Sequence, residues 1–353
     1  IRKGDKIVIW GNNTLPLLVA FLGVINSRAV VVPLDEMFTP DMVNRIAEKV
    51  HPKLVVSSMN NQLFLKRFPF FSLETIEERL HGYPIKSFKK PSIRESDLVE
   101  IVFTSGTTTE PKGVMIRHRN IISLLPPIRD VIGSLRHVIS RFLIFFRFHR
   151  RVGLTFLAIA VGGAKLDREI FEFYRRLGFA VYQGYGMTET SPFITIFNPL
   201  KDKKGSIGKV IGDQKIKIAD NGEILVRGSN VSDGYFEDDA ATAASFQNGW
   251  LRTGDIGRLD EKGNLYFLGR KKDMIVTSDG INIYPEAIES VLKSISGVKD
   301  TTVVGIAKNG EDQVVALLIL KPGSYSGSDI IRQANAVLAP SHRIKKFHIW
   351  PEP

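Results

Sequence analysis

The run Thr104-Ser105-Gly106-Thr107-Thr108-Thr109-Glu110-Pro111-Lys112-Gly113 packs five hydroxyls, two glycines and one lysine into ten residues. Such a set suits phosphate oxygens. Glycine lets backbone N–H groups approach an oxyanion, hydroxyls donate further hydrogen bonds, and lysine adds a point charge. A generic Ser/Thr-rich turn is the plainer alternative, but the run is too particular for it. It is not a Walker P-loop, because Gly-Lys-Ser/Thr is absent and Pro111 precedes the lysine. A second unusual stretch, Arg136–Arg151, holds five arginines, two histidines, four phenylalanines and no acid. That composition is open to a cationic membrane-surface helix, a nucleic-acid stripe or the junction of an internal deletion.

The elements that must position the hydroxyl-rich run alternate in type. Lys6–Trp10, Ala29–Leu34, Leu54–Ser58 and Leu98–Phe103 read as strands, and Leu15–Ile25 and Met42–Val50 as helices. Thr39-Pro40 opens the second helix as a cap followed by proline. The pattern resumes with strand Leu154–Val161, helix Leu166–Arg176 and strand Ala180–Gln183. Strand–helix alternation predicts right-handed crossovers and a largely parallel sheet. Lys215–Ala219, Glu223–Arg227 and Asn264–Leu268 instead alternate between Asp220-Asn221-Gly222 and Lys262-Gly263-Asn264, which are hairpin signals. From Lys272 the α/β text returns, with helices at Pro285–Leu292 and Ser328–Val337 and strands at Val298–Ile306 and Gln313–Leu320.

The chain of 353 residues carries 48 Lys and Arg against 37 Asp and Glu, a net charge of +11. Residues 272–353 balance at nine against nine, so residues 1–271 hold the whole excess. A basic body suits a nucleotide, a phosphorylated cofactor, a nucleic acid or an anionic membrane face, and equally a lysine-rich solvated surface. Zero cysteine excludes disulfides, thiolate metal sites and a cysteine nucleophile. The apolar runs are too short to span a bilayer, and no signal-peptide layout opens the chain. A soluble, cytoplasmic, globular protein is expected, with contact to a membrane periphery left open by the Arg136–Arg151 tract.

The hydroxyl-rich run resembles the phosphate loop of the AMP-forming adenylating enzymes, [S/T]SG[S/T]TGxPKG, with Thr109 where the last glycine usually stands. Further matches follow in the family's order: Val161-Gly162-Gly163-Ala164, Tyr185-Gly186-Met187-Thr188-Glu189, Trp250-Leu251-Arg252-Thr253-Gly254-Asp255, Gly269-Arg270-Lys271-Lys272-Asp273 and Gly280-Ile281-Asn282-Ile283-Tyr284-Pro285-Glu286. The phrasing of Gly234–Asp255 and of the GRKKDMI segment is most similar to the long-chain fatty-acid–CoA ligases. Singly, Asp255 reads as a turn aspartate, Glu189 as a solvated carboxylate and Tyr185 as a packed ring; the ordered set favours the family.

The resemblance implies roles residue by residue. Thr104, Ser105, Gly106, Thr107, Thr108 and Lys112 would cradle the phosphates of ATP. Gly163 and Ala164 would turn against the adenine, with Tyr185 stacked on it beside Gly186. Thr188 would contact the α-phosphate, Glu189 would bind Mg2+, Asp255 would hold the ribose hydroxyls, Arg270 would lie near the ribose, and Lys272 would be the pivot of a mobile small domain. Thr188, Glu189 and Lys112 are the expected catalytic residues, with the Thr104 turn, Glu189 and Asp255 expected around one ATP. The implied fold is α/β: a large domain, 1–271, of mainly parallel sheets flanked by helices, with an antiparallel β subdomain at about 205–268, and a small mobile α/β domain, 272–353. The implied reaction activates a fatty or related carboxylic acid as its adenylate and passes it to coenzyme A, or to a carrier-protein thiol; no nucleic acid is expected. Ser105 and Glu189 are 84 residues apart, shorter than is usual in the family, so an internal deletion is expected near 142–151. The family's earliest segment and its adenylation lysine are expected to lie outside 1–353. A nucleotide-binding but catalytically impaired chain, or a basic membrane-surface protein, is the alternative.

Overall fold

The computed structural model describes residues 1–65, 67–81, 92–104, 111–132, 150, 158–163, 166, 168–198, 202, 203, 205–276, 281–308, 311–323 and 325–351. The Arg136–Arg151 tract, apart from Arg150, and the first part of the Leu154–Val161 strand lie outside them. Two compact units are present: Ile1–Asp202 with Gly208–Lys215 and Val226–Leu251, and Lys203–Ile207 with Ile216–Leu225 and Arg252–Pro353.

The first unit opens with β1 (Lys6–Trp10), α1 (Leu15–Asn26), β2 (Val30–Leu34), α2 (Pro40–Val50), β3 (Leu54–Ser57), β4 (Phe70–Ser72), α3 (Ile76–Leu80), β5 (Leu98–Thr104) and β6 (Lys112–Arg117). Their sheet runs β4-β3-β1-β2-β5-β6, parallel except for β6, which returns antiparallel along β5. Alternation along β1 sends Val8 and Trp10 to one face and Ile7 and Ile9 to the other. Val43, Ile46 and Val50 of α2 cover the first face, at helical spacing. Each such side chain contributes about 1.5–3 kcal/mol on burial. Thr39 accepts from the Met42 N–H and Pro40 follows at the first turn, as the sequence signals.

Next come α4 (His118–Ile122), α5 (Leu125–Ile132), β7 (Ala158–Val161), α6 (Arg168–Arg176), β8 (Ala180–Tyr185), β9 (Thr195–Phe197) and β10 (Lys209–Val210). The second sheet is β10-β9-β8-β7, with β7 and β8 parallel. Then follow β11 (Lys215–Ile218), β12 (Glu223–Arg227), α7 (Asp239–Ser245), β13 (Phe246–Gln247), β14 (Trp250–Leu259) and β15 (Leu265–Arg270). The β14–β15 hairpin is antiparallel, with a bulge at Ile256/Gly257.

The C-terminal residues form β16 (Ile275–Val276), β17 (Asn282–Ile283), α8 (Pro285–Lys293), β18 (Val298–Lys308), β19 (Glu311–Leu320), α9 (Gly327–Val337) and β20 (Lys346–Ile349). Ile288 and Leu292 of α8 and Ile330, Ile331 and Ala334 of α9 share a core with Val303, Val314, Ala316 and Leu318 of the sheet. Compactness divides the chain ahead of the boundary expected at 271/272. From Arg252 the β14–β15 hairpin groups with the C-terminal residues, and Gly269 lets β15 lie against Tyr284 and Glu286 at the start of α8; a Cβ there would come within 3.1 Å of the Tyr284 Cβ. Among the described residues no helix is long and apolar enough to cross a membrane.

One core carboxylate sets a pH dependence. Glu100 of β5 lies opposite Val31 and Ile116, and burial pushes its carboxyl up from 4.5 to about 7. Between pH 4.5 and about 7 the unfolded chain releases this proton while the folded chain keeps it, so stability falls across that window and stays lower above it. The loss is ~3 kcal/mol. Glu100→Gln is expected to abolish this component, measured by urea unfolding at about pH 4 and about pH 8. Parent and variant losing equal stability over that range would refute it.

Candidate active site

In the first unit the hydroxyl-rich run joins two paired strands. Thr104 ends β5, Lys112 begins β6, and the two stand opposite each other in the register. Thr104 and Lys112 therefore mark the base of the loop. Ser105, Gly106, Thr107 and Thr108 lie outside the described residues, as does Ala164. Gly163 follows β7 with φ +80°, a left-handed conformation suited to glycine in a tight turn.

The segment Ser232–Phe236 is sewn along β6. Met115 N–H donates to the Gly234 carbonyl at 3.2 Å and Phe236 N–H to the Gly113 carbonyl at 2.7 Å, around a bridge between Val114 and Tyr235. Ser232 Oγ donates to the Met115 carbonyl at 2.7 Å. This places the Tyr235 ring under Lys112, whose Nζ is 5.2 Å from the ring centroid. The contact is cation–π in kind.

The Tyr235 hydroxyl reaches the other predicted residue. It donates to Glu189 Oε1 at 2.8 Å, and Ser232 N–H donates to the Glu189 carbonyl at 2.8 Å. Glu189 sits in the short turn Thr188–Thr190 beyond β8 and is only 7% exposed. Thr190 holds that turn by accepting from the Met187 N–H at 3.1 Å, and Asn230 Nδ2 donates to the Thr190 carbonyl at 2.6 Å. Gly186 is sterically required, since a side chain there would overlap the Pro192 carbonyl. Tyr185 closes β8 by accepting at its carbonyl from the Ile194 N–H at 2.7 Å. Burial, with the Glu189 charge beside it, pushes the Tyr235 phenol well above its ordinary value, so it stays a donor. Glu189 Oε2 accepts from no described protein group. Among the described residues there is no cluster of three potential metal ligands. A carboxylate oxygen is a hard ligand of the kind Mg2+ takes, the rest of its shell coming from phosphates and water.

The second unit gathers the remaining predictions. Asp255, 2% exposed, stands opposite Arg270 in the β14–β15 register, with Arg270 Nε 3.0 Å from Oδ1. It follows Gly254, at φ +71°. Asp255 thus lies within a strand rather than in a turn, and Glu223 of β12 is the carboxylate behind this part of β14: it accepts from Gly254 N–H at 3.2 Å and pairs with Arg252 and Lys271. Lys272 is exposed in the short helical turn Lys271–Asp273. Thus Thr104, Lys112 and Glu189 share one framework, and Asp255, Arg270 and Lys272 share another. Tyr235 and Glu223 were not anticipated. Gly234-Tyr235 and Gly222-Glu223 offer local signals of turns only, because the groups they serve lie 46 and 29 residues away.

The family model described as AMP-binding enzyme matches residues 1–146 and 129–236. The chain belongs to this family. The long-chain-fatty-acid–CoA ligase FadD15 of Mycobacterium bovis is 34% identical over 244 residues, covering 61% of this chain and 40% of that enzyme. The 2-succinylbenzoate–CoA ligase of Oceanobacillus iheyensis is 29% identical over 419 aligned residues, covering 99% of this chain and 86% of that enzyme. The fold is that of the O-succinylbenzoate coenzyme A synthetase MenE of Bacillus subtilis in complex with AMP, with TM-score 0.83 and 24% identity over 99% of this chain and 85% of that one. The same synthetase has been solved with ATP and a magnesium ion, at TM-score 0.80.

Tyr235→Phe keeps the ring under Lys112 but leaves buried Glu189 without its phenolic donor. The expected loss is about 1–3 kcal/mol of unfolding stability at neutral pH, with near recovery in the double variant that also carries Glu189→Gln. Additive losses in the denaturant-unfolding cycle would show that the two groups do not act together.

Proposed function

We propose that this protein joins a carboxylic acid to the thiol of coenzyme A at the expense of ATP, through an acyl-adenylate. The observation that carries the proposal is the single framework of β6 and residues 232–236, which holds the phosphate-loop base, Lys112 and Glu189 together. In the first half-reaction a carboxylate oxygen attacks the α-phosphorus, the bond from that phosphorus to the bridging oxygen breaks, and pyrophosphate leaves. In the second, the thiol sulfur gives up its proton and attacks the acyl carbonyl carbon; the bond to the phosphate oxygen breaks and AMP leaves. Both steps are dominated by charge, so fixed donors aimed at phosphate oxygens are the main catalytic resource.

Thr104 and Lys112 serve the phosphates from the loop base, and the hydroxyls and N–H groups of Ser105–Thr108 complete the cradle. Thr188 addresses the α-phosphate. Glu189 supplies the carboxylate that holds Mg2+, which when bound draws charge from the phosphate oxygens. Tyr185 and the Gly163–Ala164 turn take the adenine, Asp255 accepts from the ribose hydroxyls with Arg270 beside it, and Lys272 is the pivot between the two half-reactions. A long-chain fatty acid is the proposed acyl substrate, supported by the name and 34% identity of FadD15. The relatives acting on 2-succinylbenzoate make that acid the proper competitor in an assay.

A second reading has its own support. The family model meets the chain in two pieces whose ends fall within 129–146, and the 2-succinylbenzoate–CoA ligase needs 419 aligned positions against 353 residues here. An internal deletion there would leave a protein that binds nucleotide without turnover. ATP-dependent pyrophosphate release with a long-chain fatty acid supports the ligase; AMP binding with no release under either acid supports the second reading.

Lys112→Ala is expected to weaken ATP by about tenfold or more and AMP far less, because its charge serves the outer phosphates. Equal losses in calorimetric titrations would contradict that role. Asp255→Ala is expected to weaken ATP and AMP by similar factors, since both carry the ribose; undiminished AMP affinity would remove it from the site.

A further inference from the structure

Glu223 begins β12, and its side chain is 3% exposed. Its two oxygens are divided between the β14 backbone and two basic side chains. Oε1 accepts from the Gly254 N–H at 3.2 Å, while Oε2 accepts from Arg252 Nη2 at 2.5 Å and Lys271 Nζ at 3.3 Å. The same part of β14 is pinned next door: Thr253 Oγ1 donates to the Ile224 carbonyl at 2.8 Å and accepts from the Asp255 N–H at 3.1 Å. Burial alone would raise the Glu223 carboxyl, but the Arg252 hydrogen bond and the Lys271 charge outweigh it and hold it below its usual value. It is an anion surrounded by donors.

We propose that Glu223 is a positioning residue that sets the β14 backbone at Asp255 and, through Lys271, latches the Arg270–Lys272 segment, so that one buried carboxylate couples ribose binding to movement of that segment. The ribose half rests on the proposed function; the latch does not. The contacts differ in kind. Arg252 and Gly254 lie on β14, outside the Arg270–Lys272 segment, so their contacts with Glu223 do not depend on it. Lys271 is a long side chain, 45% exposed, and its ammonium can return to water without stranding the carboxylate. The Lys271 contact is therefore the one that the segment can give up. Asp255 and Arg270 stand opposite each other in the hairpin register, so a shift of the segment after β15 is felt at the ribose carboxylate.

Glu223→Gln keeps an acceptor for the Gly254 N–H but removes the charge facing Arg252 and Lys271. It is expected to weaken AMP and ATP alike by about tenfold and to speed tryptic cleavage after Arg270 or Lys272 several-fold. Lys271→Met should speed that cleavage and weaken AMP by a smaller factor, about threefold, because Arg252 and Gly254 still hold Glu223. Glu223→Asp, which keeps the charge, should fall between parent and Glu223→Gln, and it stands in for that variant should Glu223→Gln not fold. Folded Glu223 variants with parental AMP affinity, or Lys271→Met with a parental cleavage rate or parental AMP affinity, would overturn the coupling. If Asp255→Ala itself leaves AMP affinity unchanged, the ribose assignment has failed, and the cleavage rates alone decide the latch.

Discussion

A carboxylate withdrawn from water must be met by donors, and for Glu189 that requirement falls, among the described residues, on one hydroxyl. Glu189 is nearly buried, and Tyr235 is the side chain that donates to it. Tyr235 is not free to choose its place. Its backbone is bridged to Val114, and its neighbours Gly234 and Phe236 are bonded to Met115 and Gly113. The position of the acid is therefore tied, through a phenol and a strand pairing, to the strand that starts at Lys112. The proposed cation carboxylate and the proposed phosphate lysine are separated by one aromatic ring, with the lysine over its face and the carboxylate at its hydroxyl. Rigid spacing of this kind is what electrostatic stabilisation of a phosphoryl transition state needs, because donors that must reorganise lose most of their value.

The second unit solves a similar problem with ion pairs. Glu223 and Asp255 are both buried, and each is met by cations that remain partly in water: Arg252 and Lys271 for the first, Arg270 for the second. A buried anion beside an exposed cation is asymmetric. The anion is fixed by its burial, while the cation keeps solvent as an alternative partner. Where a backbone segment must move, the contact that can be surrendered is the one made by the exposed partner, which is the geometry of Lys271.

Much of this architecture was legible from residue type and period. β1 coincides with the expected Lys6–Trp10, α2 is capped by Thr39-Pro40 as expected, and the helices at Pro285 and Gly327 lie within a residue of their expected starts. These elements declare themselves because their apolar positions recur at two or at about 3.6 residues, and the period is local. β6 was not anticipated: Lys112–Arg117 follows the loop directly, and its role is to pair back along β5. β4 and β20, three and four residues long, were missed because their pairing partners rather than their own patterns make them strands.

The sequence by itself determined the candidate chemistry. Five hydroxyls and a lysine on a glycine-bearing loop, the Tyr-Gly-x-Thr-Glu turn and the Thr-Gly-Asp triplet are contiguous strings, and the bonding capacity of their side chains is a property of the residues alone. Only the tertiary structure decided which residues support them. Tyr235 and Glu223 act on groups far along the chain, through a hydroxyl and a carboxylate whose partners are chosen by strand pairing and burial. Spacing in sequence carries no record of a hydrogen bond made across a fold; it appears only once β6 meets residues 232–236 and β12 lies behind β14 at Asp255.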